Sequence, residues 1–365
     1  APPGPGGDDL KLLYDARMVD PQRVHGIARY TYELVNWALQ HRPEHSIAVL
    51  TPNPQAWAHM PGLECILSRS KPFTPREQWE LPGLIASARP DLVHFPSLAA
   101  PVLCPRPYVI NAHDLIPWHF PASRFHRPYL ATLTRWACWR ARHVLSGSHH
   151  AAAEAHKILW VRSSKITVIP HGGLEEVSVQ SAAAQGGRPY LLCVTNPRPH
   201  KNLEIVLQAF PQLHEAFDLK VVCADCPALQ QACERFSQIE RLSGISDEQL
   251  ASLYQGAQAV IVPSLYEGFG LPALEAMQRG APVISSSATS LPEVVGEAGL
   301  YFDPNSVAQL VHQVRRLGQD SALRQSLIEK GRIQARRFSW DRTAKEHWQV
   351  YEQLTMSART IISMS

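Results

Sequence analysis

Surplus charge of either sign is scarce in this sequence: 35 Lys and Arg stand against 32 Asp and Glu, a formal excess of +3 over 365 residues. That balance excludes nucleic-acid binding by wholesale phosphate neutralisation, which needs a concentrated basic surface. Long apolar runs are also missing, and none approaches the roughly 18 residues needed to cross a bilayer. The opening stretch, Ala1 to Asp9, is Pro, Gly and Asp without the apolar centre of a signal peptide, so the expectation is a soluble, cytoplasmic chain. The seven cysteines are odd in number and scattered, which argues for reduced thiols rather than a disulfide framework. Cys223 and Cys226 have redox or half-zinc-site spacing, but no second such pair exists, and they read as small core or loop thiols. No Asp-x-Asp pair occurs that could hold a nucleotide-bound divalent ion, so a metal site is not expected.

What is present fits a folded protein of two domains. With 45% hydrophobic and 18% charged residues, apolar burial can offset the entropy of ordering. The length suits two domains at about 150 residues each. Short apolar runs rich in β-branched residues alternate with helical patterns, the signature of parallel strands with crossover helices. Strands are expected near Leu12 to Tyr14, Ile47 to Leu50, Leu92 to Phe95, Tyr108 to Ile110, Val144 to Ser146 and Ile166 to Ile169. The second half repeats the plan near Tyr190 to Val194, Leu219 to Cys223, Ala259 to Pro263 and Pro282 to Ser285, with helices starting near Asn202, Pro227, Asp247 and Leu271.

The expected fold class is therefore α/β, as two Rossmann-like doubly wound domains facing one another across a cleft. A linker-like stretch, Glu175 to Arg188, sets the division into residues 10–180 and 181–340. The final stretch, 341–365, is expected to be a helix that packs back onto the first domain, with Ser339 as N-cap. Ligands of open parallel sheets lie beyond the carboxyl ends of the strands, so each domain would hold one reactant.

The most informative segment is PSLYEGFGLPALEAMQRG, Pro263 to Gly280, which reads as a strand end, a glycine-rich turn and an amphipathic helix. Gly268 and Gly270 permit a tight turn, Pro272 suits the first helical turn, and Gly280 suits the C-terminal cap. The helix start offers amide donors to a phosphate or a sugar. Glu267 stands before the turn and Glu275 eight positions later, too far apart for a close catalytic pair but placed to accept hydroxyl donors at two ends of an extended ligand. A nucleotide sugar has that shape.

This pattern, Glu267, seven intervening residues and Glu275, resembles the signature of the retaining glycosyltransferase family 4 of the GT-B fold. The likeness runs on through Gly244 to Tyr254, the strand to Pro263, GAPVISS, and Leu291 to Pro304. In the first half it is carried by His25, Gly26, Ile27, Arg29, His113 with Asp114, and Ser146 with Ser148. The resemblance implies that Glu267 lies near the donor hexose, that Phe269, Gly270 and Leu271 offer backbone donors to sugar and phosphate, that Glu275 holds the ribose hydroxyls, and that Ile245 contacts the base. In TNPRPHKN it implies that Lys201 pairs the diphosphate. Family members place an arginine directly before that lysine or several residues upstream; here His200 precedes it and Arg198 lies three residues before, so the second clamp is left between Arg198 and His200. Gly26, at a strand-to-helix turn, leaves room for a diphosphate or acceptor, and His113, after a strand end, could hydrogen-bond the donor sugar.

The resemblance further implies retention of configuration, and no carboxylate stands out as a covalent nucleophile. Front-face substitution is expected, with a hexose, mannose favoured, passing from a nucleotide diphosphate sugar, GDP-mannose favoured, to a glycan or lipid-linked acceptor in cell-surface polysaccharide or glycolipid synthesis. No resident cofactor is expected. Between Asp114 and Glu154 there is no acidic residue but there are five arginines. On a helix from Pro128, Leu130, Leu133, Ala137, Ala141 and Val144 would face the core, leaving Arg135, Trp139 and Arg142 to meet an anionic membrane surface. The competing readings are a catalytically silent sugar-nucleotide-binding or scaffold protein, and a sugar-nucleotide epimerase of the same fold, against which the Glu267 to Glu275 signature speaks.

Overall fold

The computed structural model describes residues 9–19, 26–173 and 187–363. The chain divides into two units, residues 1–172 with 339–365, and residues 173–338. The sequence-based division at 180/181, most of the Glu175 to Arg188 stretch, His25 and the opening segment lie outside the described residues.

In the first unit β1 (Lys11–Asp15), β2 (Ser46–Thr51), β3 (Glu64–Leu67), β4 (Leu92–Phe95), β5 (Tyr108–Asn111), β6 (His143–Ser146) and β7 (Ile166–Val168) form one parallel sheet in the order β3-β2-β1-β4-β5-β6-β7. Alternate residues feed two cores, Leu12, Tyr14 and Val109 on one face and Leu13, Val93 and Ile110 on the other. Burial on both faces is why these strands are apolar throughout rather than alternating. The helix Trp340–Ser363 adds Ala344, Trp348 and Tyr351 to the first of these cores. Ser339 Oγ accepts the Arg342 amide at 3.2 Å, the cap expected of it.

One seam of this unit is polar although buried. His94 Nε2 lies 2.5 Å from Asn111 Oδ1, Tyr351 OH lies 2.7 Å from His94 Nδ1, and Asn111 Nδ2 donates to Tyr30 OH at 2.9 Å. His347 Nε2 meets Tyr30 OH, and its Nδ1 lies 2.6 Å from Thr343 O. With both rings neutral every proton has an acceptor: His94 carries its hydrogen on Nε2 and His347 on Nδ1. Burial accordingly holds His94 well below the ordinary imidazole value and His347 down at about 4.

In the second unit β8 (Tyr190–Val194), β9 (Asp218–Val222), β10 (Ile239–Leu242), β11 (Ala259–Val262), β12 (Val283–Ser286) and β13 (Gly299–Phe302) form a parallel sheet in the order β10-β9-β8-β11-β12-β13. Leu191, Cys193, Leu219 and Ile261 enter one core, and Leu192, Val260, Val262 and Val283 the other. The chain builds outward one way from β8 and the other way from β11. The switch point, where the loops that follow these two strands part, therefore lies between them. All seven cysteines are free thiols, Cys223 buried and Cys226 partly so.

The expected helix from Pro128 is corrected by the structure. Residues His126–Tyr129, Leu130–Thr134 and Arg135–Arg140 form a helix interrupted by a π-helical turn, and Val144 belongs to β6. The wider turn shifts the phase, so Leu130, Thr134, Ala137, Cys138 and Ala141 are buried while Leu133 is 39% exposed. Arg135 does not reach outward: its Nε donates to Ile158 O at 2.8 Å, and its guanidinium lies 3.7 Å from the centroid of the Trp160 ring. Among the described residues no helix is long and apolar enough to cross a membrane.

Candidate functional site

In the second unit the residues singled out in the sequence gather at the switch point. After β8 the chain passes Arg198 and a short turn, Pro199–Lys201, into the helix Leu203–Ala209. After β11 it passes Ser264 and Glu267 into the helix Leu271–Gln278. Lys201 Nζ donates to Glu267 Oε1 at 2.7 Å, and Ser264 Oγ donates to the same oxygen at 2.6 Å. Oε1 takes both contacts, while Oε2 takes none among the described residues. The carboxylate is 9% exposed and the ammonium 17%, so the pair is sheltered yet reachable. An ammonium has three protons, and Glu267 uses one.

His200 is buried, with its carbonyl accepting the Leu265 amide at 2.8 Å. Burial, and then the neighbouring Lys201, push its imidazole down to about 4, so near neutral pH it is uncharged. Of the two residues left open as a second clamp, only Arg198 carries charge there. Its side chain is exposed.

The glycine turn is built as its composition requires. Gly270 has φ of +112°, and a Cβ placed on it would lie 2.8 Å from Leu291 Cδ2, so both conformation and space demand glycine. It caps the helix Leu271–Gln278, which has Pro272 in its first turn. Pro272 has no N–H, and the Ala273 and Leu274 amides donate back to Gly270 O at 3.1 and 3.3 Å, so a ligand at this helix start would meet the amides of Gly270 and Leu271. At its other end the Gly280 amide reaches Met277 O at 3.1 Å and the Ala281 amide reaches Ala276 O at 2.9 Å, a Schellman closure on Gly280. Phe269 turns its side chain into the core, edge-on to Phe338. Leu271 is partly buried against the same core. Glu275, on the next turn of the helix, accepts from Tyr254 OH at 3.1 Å. Ile245 is half-buried in the loop between β10 and the helix Asp247–Gly256, whose start Ser246 and Gln249 close as a capping box.

Several residues of this site were not singled out from the sequence. Thr289 Oγ1 accepts the Glu267 amide at 2.9 Å, and Ser290 Oγ donates to the carbonyls of Glu267 and Phe269, both at 2.9 Å. Asn202 Nδ2 donates to Pro263 O at 3.1 Å and Pro304 O at 2.8 Å, tying the loop after β8 to those after β11 and β13. Tyr254 holds Glu275 from a fully buried position. Asn202 and Thr289 have positive φ, 54° and 53°. An Asn directly before a helix signals that conformation; nothing local to Thr289 does.

In the first unit the switch point lies between β1 and β4. Gly26 caps the helix Ile27–His41 with φ of +57° and ψ of −121°, open to glycine alone, and nothing lies within 4 Å of where a Cβ would stand. His113, beyond β5, has Nε2 2.9 Å from Pro96 O, which fixes the hydrogen on Nε2 and leaves Nδ1 an acceptor. Nδ1 is buried without a partner, its ring edge-on to Tyr30 and His171 at centroid distances of 4.7 and 4.9 Å. Burial pushes its pKa down to about 4. His113 can therefore accept a hydroxyl proton in a hydrogen bond only if a neighbouring ring shifts, and it is no acid at neutral pH. Ser148 caps the helix His149–Leu159, and Ser146 bonds Ala112 O at 3.0 Å.

Two doubly wound parallel units, with polar residues gathered at the strand crossover of the second, define a fold of the GT-B type. Residues 24–172 match the family profile "Glycosyltransferase Family 4" and residues 175–334 match "Glycosyl transferases group 1". The chain belongs to the GT-B glycosyltransferases that these two profiles describe. It is 35% identical over 196 residues to O-antigen chain mannosyltransferase B of Escherichia coli, covering 51% of each chain. It is 29% identical over 220 residues to O-antigen chain mannosyltransferase RfbU of Salmonella typhimurium, covering 59% of this chain and 62% of that one. The matched regions thus span about half to three fifths of these two relatives. Among solved structures, Anabaena HepE in complex with UDP-glucose superposes with a TM-score of 0.73 at 19% identity, over 94% of this chain and 100% of that one, a likeness of fold.

Proposed function

We propose that this chain is a retaining, metal-independent hexosyltransferase that moves mannose from GDP-mannose to a glycan or lipid-linked acceptor in cell-surface polysaccharide synthesis. The observation that carries the reading is the meeting of Lys201 and Glu267 at the switch point, one after each of the two strands where a ligand of such a sheet belongs. The mannosyltransferase names of the two relatives support the choice of sugar.

In this reading the unused protons of Lys201, the amides of Gly270 and Leu271 at the start of the helix Leu271–Gln278, and Arg198 neutralise the diphosphate as it leaves. Glu267 offers Oε2 to hydroxyls of the hexose, and Glu275, held by Tyr254, takes those of the ribose, with Ile245 beside the base. The acceptor hydroxyl attacks the face from which the diphosphate departs. The C–O bond to phosphate breaks, the bond to the acceptor forms, and the departing phosphate oxygen receives the acceptor proton.

The test is incubation with GDP-mannose and a mannose-terminated oligosaccharide, followed by NMR of the product. An α-linked mannosyl product formed in the presence of EDTA supports the proposal. A β-linked product, or a glycosyl adduct trapped on Glu267, overturns the front-face mechanism. Binding without turnover favours the silent sugar-nucleotide-binding alternative, and transfer only from a UDP-sugar overturns the choice of donor.

A further inference from the structure

At the end of the first unit's sheet opposite His113 lies a second concentration of chemistry that the proposed reaction does not use. Arg106 precedes β5, Arg142 precedes β6 and Lys165 precedes β7, three neighbours in the sheet, so their side chains start from one edge, the amino ends of the strands. The Arg142 amide donates to Tyr108 O at 2.7 Å, which fixes that register. Arg140, the last residue of the helix Arg135–Arg140, joins them. Together with Trp139 these residues line a concavity of about 550 Å³. The strands between it and His113 are about 13 Å long at ~3.3 Å per residue, so the two places are separate.

The electrostatics of this concavity are one-sided. Among the described residues no ion pair joins any of the four cations to a carboxylate. The sequence supplies no acid between Asp114 and Glu154. Lys165 spends part of its charge on the end of the helix, donating to Cys138 O at 3.1 Å and Trp139 O at 2.5 Å. Burial, with Arg162 and Arg142 nearby, holds its ammonium below the usual lysine range. Like charges crowded without a counter-charge are costly, and an anion between them removes the cost. Arginine guanidinium groups also match phosphate oxygens in pairs. Beside them Trp139 is 68% exposed, its ring 5.2 Å from that of Trp136, so an apolar or ring-bearing group attached to the anion has a surface to lie on.

We infer that this concavity, bounded by Arg106, Arg140, Arg142, Lys165 and Trp139, is a second anion site that takes a phosphate-bearing ligand at the amino ends of β5, β6 and β7. The phosphate can belong to a soluble phosphorylated molecule or to the headgroup of an anionic lipid, and the test separates these sources. Wild type, Arg140→Glu with Arg142→Glu, Trp139→Ala and Lys201→Ala are compared. Calorimetry measures binding of inorganic pyrophosphate, and sedimentation measures binding to phosphatidylcholine vesicles with and without phosphatidylglycerol.

The expected result is that the double arginine variant weakens one of these interactions by about tenfold or more, as the loss of charge-assisted contacts requires, while that arginine-dependent binding persists in Lys201→Ala, which removes only what the switch-point site contributes. Arginine-dependent pyrophosphate binding identifies a soluble ligand. Binding confined to phosphatidylglycerol vesicles, and weakened also by Trp139→Ala, identifies a lipid headgroup. If the charge reversal disturbs folding by circular dichroism, Arg140→Gln with Arg142→Gln replaces it. Binding of neither probe, or binding of either that is unchanged in the arginine variants, overturns the inference.

Discussion

Lys201 and Glu267 depend on one another as a sheltered pair, and Glu267 is held by a second contact, from Ser264, that the sequence alone does not advertise. Removing the ammonium in Lys201→Ala leaves the carboxylate with Ser264 alone, at a cost of about 1 to 3 kcal/mol in stability by urea unfolding. If the same ammonium meets the diphosphate, sugar-nucleotide affinity by calorimetry also falls, by about tenfold to a hundredfold. A loss of stability with affinity unchanged would separate the structural role of Lys201 from the binding role. The two glutamates stood out in the sequence because glycines and helix signals flank them, whereas Lys201 was read only through the family resemblance. Tyr254 was not, since its hydroxyl reaches Glu275 across 21 residues of chain, through a packing that no local pattern encodes.

Helices and strands were read with different success, for a physical reason. The central strands were found because burial on both faces makes them continuously apolar. The three strands that went unread, β3, β10 and β13, are all edges of their sheets, and the first two have the sequences ECIL and IERL, in which the charged Glu64, Glu240 and Arg241 are exposed. The π-helical turn at Leu130–Thr134 went unread because one widened turn changes the phase of a helix without changing its composition. The helix Leu271–Gln278 was legible to within a residue because its stops are chemical, with glycine at each end. Those glycines predict a graded cost. Gly280→Ala meets positive φ and the flexible end of Arg332, and loses about 1 kcal/mol. Gly270→Ala meets positive φ and the buried Leu291 side chain, and loses roughly 2 to 3 kcal/mol in the same denaturation measurement. Equal losses would show that Leu291 moves aside freely.

For the molecule as a whole, the buried histidines of the first unit set a pH limit. His113 and His347 sit at about 4, and His94 and His171 well below the ordinary value, each chiefly through burial. An unfolded chain takes up these protons near pH 6.5, whereas the folded chain resists. Their stabilisation is therefore complete above about pH 6.5 and is lost as pH falls toward about 4 and below. Within that window each histidine adds a slope of roughly 1.4 kcal/mol per pH unit. Thermal unfolding followed between pH 7 and 4 is expected to show the first unit failing before the second, where His200 is the buried histidine with a lowered value. Coincident loss of both units would contradict this. The family was legible because its motifs are local in the chain; the sugar, base and acceptor depend on distances between loops and were not.

The most direct measurement is a crystal structure of the protein with GDP-mannose bound. The account predicts the diphosphate against Lys201 and the amides of Gly270 and Leu271, with the ribose on Glu275 and the hexose within reach of Glu267 Oε2. A nucleotide bound away from the β8 to β11 switch point, or bound there with Lys201 still closed on Glu267 and both turned from the ligand, would contradict it.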